Sequence, residues 1–201
     1  TGGTETSAAA HGKGKVIDTW TGLKASAACA ELTKRELVIN VTDKFAIRWL
    51  KETEEGRQWA DNYGFPDPPV ILPERECQPD DPHAIIELNL VNGQTIRENP
   101  FKIIGIIDAT ANFQDFRIDW GEGEDPAEWN VLVDWNNDPA HTPQEIYEWD
   151  LTEVEAPVVT LRVLMRSTMD TQAEKRFTLT LEVPTPTPTV TPTPTETPTP
   201  T

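Results

Sequence analysis

The sequence predicts a mainly β chain built around an immunoglobulin-like antiparallel β-sandwich, and two observations carry this prediction. From residue 84 onward apolar residues recur at every second position, which is the period of strands with one buried face. Seven such stretches follow one another in roughly 100 residues, separated by short polar turns without a convincing helix. The predicted divisions of the chain are a linker at 1–15, a small α/β segment at 16–83, the sandwich at 84–183 and a disordered Pro/Thr-rich tail at 184–201.

The α/β segment is predicted from helix caps and from extended stretches. Asp43 offers an N-cap for the helix KFAIRWLKE, and Thr53 offers one for the helix EEGRQWADNY. Gly64 follows the second helix and favours its end there. The stretch ELVIN at 36–40 has the composition of a strand, and PDPPVILPE at 66–74 must be extended because residues before proline avoid the helical region.

Each of the seven predicted strands places its larger apolar side chains on one face. They are AIIELNL (84–90), FKIIGII (101–107), FRIDW (116–120), WNVLV (129–133), YEWDL (147–151), VTLRVLM (159–165) and FTLTLEV (177–183). Trp120, Trp129 and Trp149 fall in phase with these apolar positions, so we expect them in the core. Trp135 is followed by the polar residues NND, so we expect it to be exposed and name it as a candidate contact for a sugar ring.

The stretch FRIDWGEGEDPAEWNVLVDW, residues 116–135, concentrates carboxylates and raises the question of chemistry. A calcium loop of the EF-hand type needs oxygen ligands at positions 1, 3 and 5. Counted from Asp119, positions 3 and 5 are both glycine, so two ligands are missing. Glu124 and Asp125 belong to a single solvated turn, which does not separate their pKa values as glycoside hydrolysis requires. We keep these two residues only as candidate contacts for a cation or a partner.

A hairpin accounts for more of the same stretch. Gly121 and Gly123 permit positive φ, and Pro126 fixes the return of the chain. Trp120 and Trp129 keep the apolar faces of the flanking strands in phase. The sequence therefore predicts that residues 116–135 form two sandwich strands and the turn between them.

Motifs for catalysis and for metal binding are missing from the sequence. It contains no G-x-S-x-G elbow, no H-E-x-x-H helix and no Walker loop. His11, His83 and His141 are isolated, and two cysteines alone do not form a zinc site. We therefore predict no catalytic residue, no cofactor and no metal ligand, and the chain is not expected to be an enzyme.

Charge and composition limit the partners and the compartment. Lys and Arg total 17 against 34 Asp and Glu, and a net charge of −17 repels nucleic acid. The tail PTPTPTVTPTPTETPTPT at 184–201 is typical of an extended spacer and offers threonines for O-glycosylation. Such tails favour a secreted or wall-facing protein. Cys29 and Cys77 are either two buried thiols or one disulfide, which would stabilise the fold by about 3–4 kcal/mol.

Several stretches resemble one family. They are IDTWTGLKASAACAE (17–31), LVINVTDKFAIRWLKETEEGRQWADNYGF (37–65), PERECQPDDP (73–82), IIDATANFQDFRIDWGEGEDPAEWNVL (106–132) and the Pro/Thr tail. In this order they resemble the C-terminal accessory region of bifunctional class A penicillin-binding proteins of Chloroflexi-like bacteria. Parent proteins of that family are membrane-anchored peptidoglycan glycosyltransferases and transpeptidases that act outside the cytoplasm.

The resemblance implies a non-catalytic extracytoplasmic region that acts as a spacer or docks onto cell-wall peptidoglycan or wall-associated proteins. Membrane contact would come only through an anchor upstream of residue 1. None of the family's catalytic residues can be carried over, because Ser7, Ser26 and Ser167 lack the lysine that S-x-x-K requires three positions later. The alternative is a carbohydrate-binding immunoglobulin-like module of a secreted hydrolase or surface adhesin.

Overall fold

The computed structural model describes residues 14–183, and both the Pro/Thr tail and most of the predicted linker lie outside this range. Its elements are β1 (Lys15–Asp18), a 3₁₀ turn (Ala27–Cys29), β2 (Thr33–Glu36), β3 (Val38–Ile39), α1 (Lys44–Glu52), α2 (Glu54–Asn62), β4 (Val70–Ile71), β5 (Ala84–Leu88), β6 (Gln94–Ile96), β7 (Phe101–Ala109), β8 (Phe113–Glu122), β9 (Asn130–Asn136), β10 (Ala140–Trp149), β11 (Val158–Ser167) and β12 (Gln172–Leu181). The first strand begins at Lys15, inside the predicted linker. No helix among residues 14–183 is both long enough and apolar enough to cross a membrane.

Two sheets enclose one core. The smaller sheet has the strand order β10-β7-β5, and the larger one has the order β6-β12-β11-β8-β9. All neighbours pair antiparallel except β6, which runs parallel to β12. Alternating residues of both sheets, such as Ile103 on β7 and Val163 on β11, are fully buried between them. The mainly β, two-sheet prediction is thus confirmed, while the immunoglobulin-like assignment stays a prediction.

The strand predictions locate the apolar part of each strand but miss β6 and the beginnings of β10 and β12. All seven predicted stretches contain a strand, but β6 was missed and β10 begins at Ala140 rather than at Tyr147. Residues 141–145 of this edge strand are exposed, so they carry no apolar alternation that the sequence could display. β12 likewise begins at Gln172, five residues before the predicted Phe177.

The N-terminal segment has the predicted caps and helices. The Asp43 carboxylate accepts the N–H of Ala46 at 2.8 Å, and the Thr53 hydroxyl accepts the N–H of Gly56 at 3.1 Å. Gly64 follows α2 at a φ of 77°, as expected of a helix stop. The two predicted extended stretches meet as the parallel pair β3 and β4.

A disulfide closes the N-terminal segment on itself, and a tryptophan attaches the segment to the sandwich. Cys29 and Cys77 are joined by a disulfide, which decides between the two alternatives that the sequence left open. Trp20 is buried in the core of the sandwich, and its indole N–H donates to the carbonyl of Ala111 at 3.2 Å. Thr171 donates its hydroxyl to the Trp20 carbonyl at 2.6 Å. The segment at 16–83 and the sandwich therefore share part of one core.

Candidate functional site

The acidic stretch forms the predicted hairpin. β8 and β9 pair antiparallel, and Gly123 occupies the turn at a φ of 82°. The Thr160 hydroxyl on β11 donates to the carbonyls of Gly123 and Glu124 at 2.7 and 3.1 Å, which fixes the turn on the sheet. The Asp125 side chain is 93% exposed and its carboxylate accepts from Arg176 at 3.3 Å. The two candidate carboxylates, Glu124 and Asp125, are therefore solvated turn residues.

Gly121 has a different role from the predicted one. It lies within β8, and positive φ is found at Gly123 instead. A Cβ atom on Gly121 would lie 2.4 Å from the Cβ of Pro126 and 2.5 Å from the carbonyl oxygen of Glu128. Gly121 is thus required because the returning chain packs against its backbone.

Asp119 is the buried carboxylate of the stretch 116–135, whose other carboxylates are exposed. Its side chain is fully buried on β8. One carboxylate oxygen accepts from Arg117 Nε at 2.6 Å and the other accepts from Arg162 Nη2 at 2.7 Å. Register places Arg162 on β11 directly opposite Asp119. Two guanidinium groups therefore compensate this buried charge.

Two tryptophans lie beneath guanidinium groups on the outer face of the larger sheet. Arg162 lies 3.9 Å from the centre of the Trp129 ring, and Arg176 lies 5.3 Å from it. Arg166 lies 3.7 Å from the centre of the Trp135 ring. The prediction of Trp129 as a core residue and of Trp135 as an exposed residue is wrong, since both rings are half-buried under arginines.

The bulges between β8 and β9 explain why the alternation of apolar residues wrongly predicted Trp129 to be in the core. Register shifts occur on both sides of Ile118, so a strict alternation cannot run through β9. Trp120 and Trp149 behave as predicted, because they pack together at a centroid distance of 5.5 Å against the core. A one-residue shift moves a side chain to the other face of a sheet.

Charged side chains on the outer face of the larger sheet pair mostly with one another. Asp115 accepts two hydrogen bonds from the Arg166 guanidinium, which raise the pKa of Arg166 above its ordinary value. Arg176 pairs with Asp125 and with Glu174. Most cations of this face are therefore already paired or stacked, and Trp135 offers at most one open ring face to a ligand.

Groups that could bind a metal do not converge in the described range. Residues 14–183 contain no cluster of three or more His, Cys, Asp or Glu side chains placed to hold a metal ion. Glu124 and Asp125 share a turn without a third ligand beside them.

A second surface, on the helical pair, is apolar and open. Four large aromatic side chains are strongly exposed there: Phe45 (81%), Trp49 (41%), Trp59 (40%) and Tyr63 (65%). We call these four residues the aromatic surface. The ring centroids of Trp49 and Trp59 are 6.2 Å apart, and those of Trp59 and Tyr63 are 4.8 Å apart. Trp49, Trp59 and Tyr63 therefore form a continuous patch, and Phe45 precedes Trp49 by one helical turn.

The close approach of α1 and α2 creates this surface. Gly56 lies so near the Trp49 carbonyl that a Cβ atom would be 2.1 Å from the carbonyl oxygen. Two nine-residue helices at this distance have little inner face, and Leu50, Gly56 and Ala60 are their buried residues. The sequence predicted two capped helices here, and no candidate site residue was assigned to them. The signal in the sequence is the number of aromatic residues. Two short helices that face each other over so small an area cannot bury four large rings.

Basic side chains adjoin the aromatic surface. Lys44, Arg48 and Lys51 are exposed and recur at positions i, i+4 and i+7 of α1, which places them on one side of the helix. Phe45 and Trp49 occupy the neighbouring side, one helical turn apart. We call these three cations the basic stripe. Arg48 lies 3.8 Å from Glu52, so Lys44 and Lys51 are the cations of the stripe without an ion pair within residues 14–183.

Comparison with known proteins adds no relative. The chain matches no family model, no curated protein and no solved structure. The functional interpretation therefore depends on the surfaces described above and on the sequence stretches that resemble a family.

Proposed function

We propose that this chain is a non-catalytic, extracytoplasmic docking and spacer region of a penicillin-binding protein, and that its aromatic surface binds cell-wall peptidoglycan. The observation that carries the proposal is the concentration of open aromatic rings on the helical pair. Nine large hydrophobic side chains are exposed within residues 14–183, and four of them form this one patch. Patches of this kind mark binding surfaces rather than accidental exposure.

The chemistry of the patch supports a glycan partner. Its strongly exposed apolar side chains are all aromatic, whereas the aliphatic Leu50 of the same helix pair is buried. The faces of aromatic rings carry negative electrostatic potential, so they attract the C–H bonds on the faces of sugar rings. A patch meant for acyl chains or for a protein core would present aliphatic side chains as well.

The basic stripe supports an acidic glycan in particular. Peptidoglycan carries carboxylates on its muramic acid and stem peptides, and Lys44, Arg48 and Lys51 offer the opposite charge beside the stacked rings. Elsewhere the chain is acidic and repels such a polymer. Contact is therefore expected through α1 and α2, with the remaining surface held away from the wall.

The alternative is a carbohydrate-binding module of a secreted hydrolase or adhesin, and the stacked rings also favour it. Neutral glycans would need the aromatic surface but not the basic stripe. Binding of the chain to purified peptidoglycan sacculi, to insoluble chitin and to insoluble cellulose would be measured by co-sedimentation. We expect retention by the sacculi alone, weakened by raised salt because surface charges contribute.

Variants test whether the aromatic surface and the basic stripe cause the binding to sacculi. Trp59→Ala is expected to weaken binding to sacculi at least about tenfold, since aromatic anchors at interfaces contribute 2 kcal/mol or more. Lys44→Gln combined with Lys51→Gln is expected to weaken binding and to remove its dependence on salt. Val91→Ser is the matched control, because Val91 is also exposed but lies on the sandwich between β5 and β6. Equal retention of Trp59→Ala and the original protein would contradict the assignment of the surface, and binding to chitin or cellulose would favour the alternative.

A further inference from the structure

A cleft runs between the disulfide-bonded part of the N-terminal segment and the edge of the smaller sheet. Its volume is about 650 Å³, and Ala27–Leu32 lie on one side with Ala84–Glu87 of β5 on the other. β5 is the outermost strand of its sheet, so within residues 14–183 it pairs only with β7. The cleft therefore runs along the open edge of β5, so backbone groups as well as side chains line it.

The hydrogen-bond pattern shows which backbone groups face the cleft. The carbonyl of His83 accepts from the N–H of Thr110, just after β7, at 3.0 Å, and the N–H of Asn89 donates to the carbonyl of Ile104 on β7 at 2.8 Å. Because these bonds alternate along an antiparallel strand, the odd-numbered residues of this stretch face β7. Ala84, Ile86 and Leu88 accordingly turn their N–H and C=O groups toward the open edge. Such an edge is a template for another strand.

A lysine side chain occupies the middle of this open edge. Lys175 on β12 lies opposite the buried Val163, so its side chain starts on the inner face of the larger sheet. Its ammonium group reaches across and donates to the carbonyl of Ile86 at 2.8 Å. Inward-pointing charges of this kind are one device that limits strand addition. On this side of β5 no backbone group of residues 14–183 bonds to Ala84 or Leu88, and Ala84 lines the cleft.

Acidic side chains set the charge of the cleft. Asp18, Glu31 and Glu87 line it, together with the small apolar side chains of Ala27 and Ala28. The carboxylate of Asp18 is already engaged by Thr21, whereas Glu31 and Glu87 are exposed. A ligand that fills the cleft thus meets an open backbone edge, a small apolar wall and two free carboxylates.

We propose that this cleft binds an extended, basic segment of a partner protein, which adds as a strand beside β5. Main-chain hydrogen bonds to Ala84 and Leu88 would give affinity, and Glu31 and Glu87 would select lysine or arginine side chains. The alternating faces of a strand match this arrangement, since one face meets the alanines while the other reaches solvent and the carboxylates. Lys175 already uses the Ile86 carbonyl, so it weakens strand pairing there. It thereby limits the non-specific addition of other strands to this edge.

The experiment uses the full chain and a synthetic probe, the acetylated and amidated peptide Lys-Val-Lys-Val-Lys-Val. Titration followed by amide NMR is expected to give saturable binding and slowed hydrogen exchange at the amides of Ala84 and Leu88. The amides of Ile85 and Glu87 already bond within the sheet, so their exchange should change little. Peptides with glutamate in place of lysine, or with N-methylated central amides, are expected not to bind. Equal binding of either control peptide, or binding without protection at Ala84 and Leu88, would overturn the proposal.

Three variants sharpen the test. Glu31→Gln and Glu87→Gln are each expected to weaken binding by about two- to fivefold, as for exposed ion pairs, whereas Glu148→Gln on the far strand β10 leaves it unchanged. Lys175→Met frees the Ile86 carbonyl and removes a like charge, so it is expected to tighten binding about threefold or more. A loss of affinity in folded Lys175→Met protein would refute this role of Lys175. Trp59→Ala should not alter peptide binding, which keeps this test separate from that of the proposed function.

Discussion

Replacing Asp119 by alanine tests whether the outer face of the larger sheet is held together by charge. The fully buried carboxylate accepts one hydrogen bond from Arg117 and one from Arg162, at 2.6 and 2.7 Å. Each hydrogen bond to a charged group contributes about 1.5–3 kcal/mol. Removal of the carboxylate also leaves the Arg162 guanidinium part-buried without a counter-charge, and loss of one partner from a buried pair costs about 3–5 kcal/mol.

Thermal and urea unfolding would measure this loss. We expect Asp119→Ala to lower the free energy of unfolding by about 3–5 kcal/mol, which corresponds to a Tm shift of about 6–20 °C for a chain of this size. Asp125→Ala is the matched control on the same network. Its carboxylate is 93% exposed and 3.3 Å from Arg176, so the expected loss is at most about 1 kcal/mol.

Removing both charges distinguishes charge compensation from simple packing. The double variant Asp119→Leu with Arg162→Met deletes the buried pair and keeps apolar volume, so we expect it to recover part of the stability lost in Asp119→Ala. Arg117 is the remaining cation and has access to solvent. If Asp119→Ala were no more destabilising than Asp125→Ala, the buried carboxylate would not be the centre of this face.

Two further predictions concern the acidic hairpin and the loop that follows the disulfide. Gly121→Ala is expected to cost about 1–3 kcal/mol in urea unfolding, because its Cβ would overlap Pro126, whereas Gly123→Asn should cost less since asparagine tolerates positive φ; equal losses would contradict this division of roles. Arg75 binds both oxygens of Asp81, at 2.5 and 2.6 Å, and holds the pKa of that carboxyl at about 2. The ordinary value is about 3.9, so the stabilisation is complete above about pH 4 and is lost as the pH falls toward 2. Unfolding measured across that range should be less pH-dependent in Asp81→Asn, and an unchanged profile would exclude the pair as the cause.

An element of this fold could be predicted from the sequence when its signal comes from residues that are close together in the chain. Central strands such as β7 and β11 are buried on one face along their whole length, so alternation in the sequence locates them. Helix caps at Asp43 and Thr53 are local hydrogen bonds and need no knowledge of the fold. The edge strands β6 and β10 bury too little of their length to display a period, and their existence depends on partners distant in sequence.

The candidate site was harder to predict for the same reason. Burial of Asp119 depends on Arg162, which lies 43 positions away and reaches it only through the pairing of β8 with β11. Bulges beside Ile118 then turn Trp129 outward, and no residue near it in sequence announces that shift. Trp135 is half-buried because Arg166, 31 positions later, lies over its ring. The aromatic surface is different, because its residues are close in sequence. What was not evident is that α1 and α2 pack mainly on each other and leave those rings uncovered.

The position of the aromatic surface follows from how the N-terminal segment is stabilised. Its helices bury little beyond Leu50 and Ala60, which is too small a core to hold a fold alone. Trp20 attaches the segment to the sandwich core, and the disulfide near the cleft joins the two ends of the segment. Because these anchors lie outside the helices, the exposed faces of α1 and α2 are not needed for packing and their rings remain available to a partner. Stability and binding therefore depend on different parts of the same segment. Substitution of Trp20 should lower the free energy of unfolding, whereas substitution of Trp59 should weaken binding to sacculi.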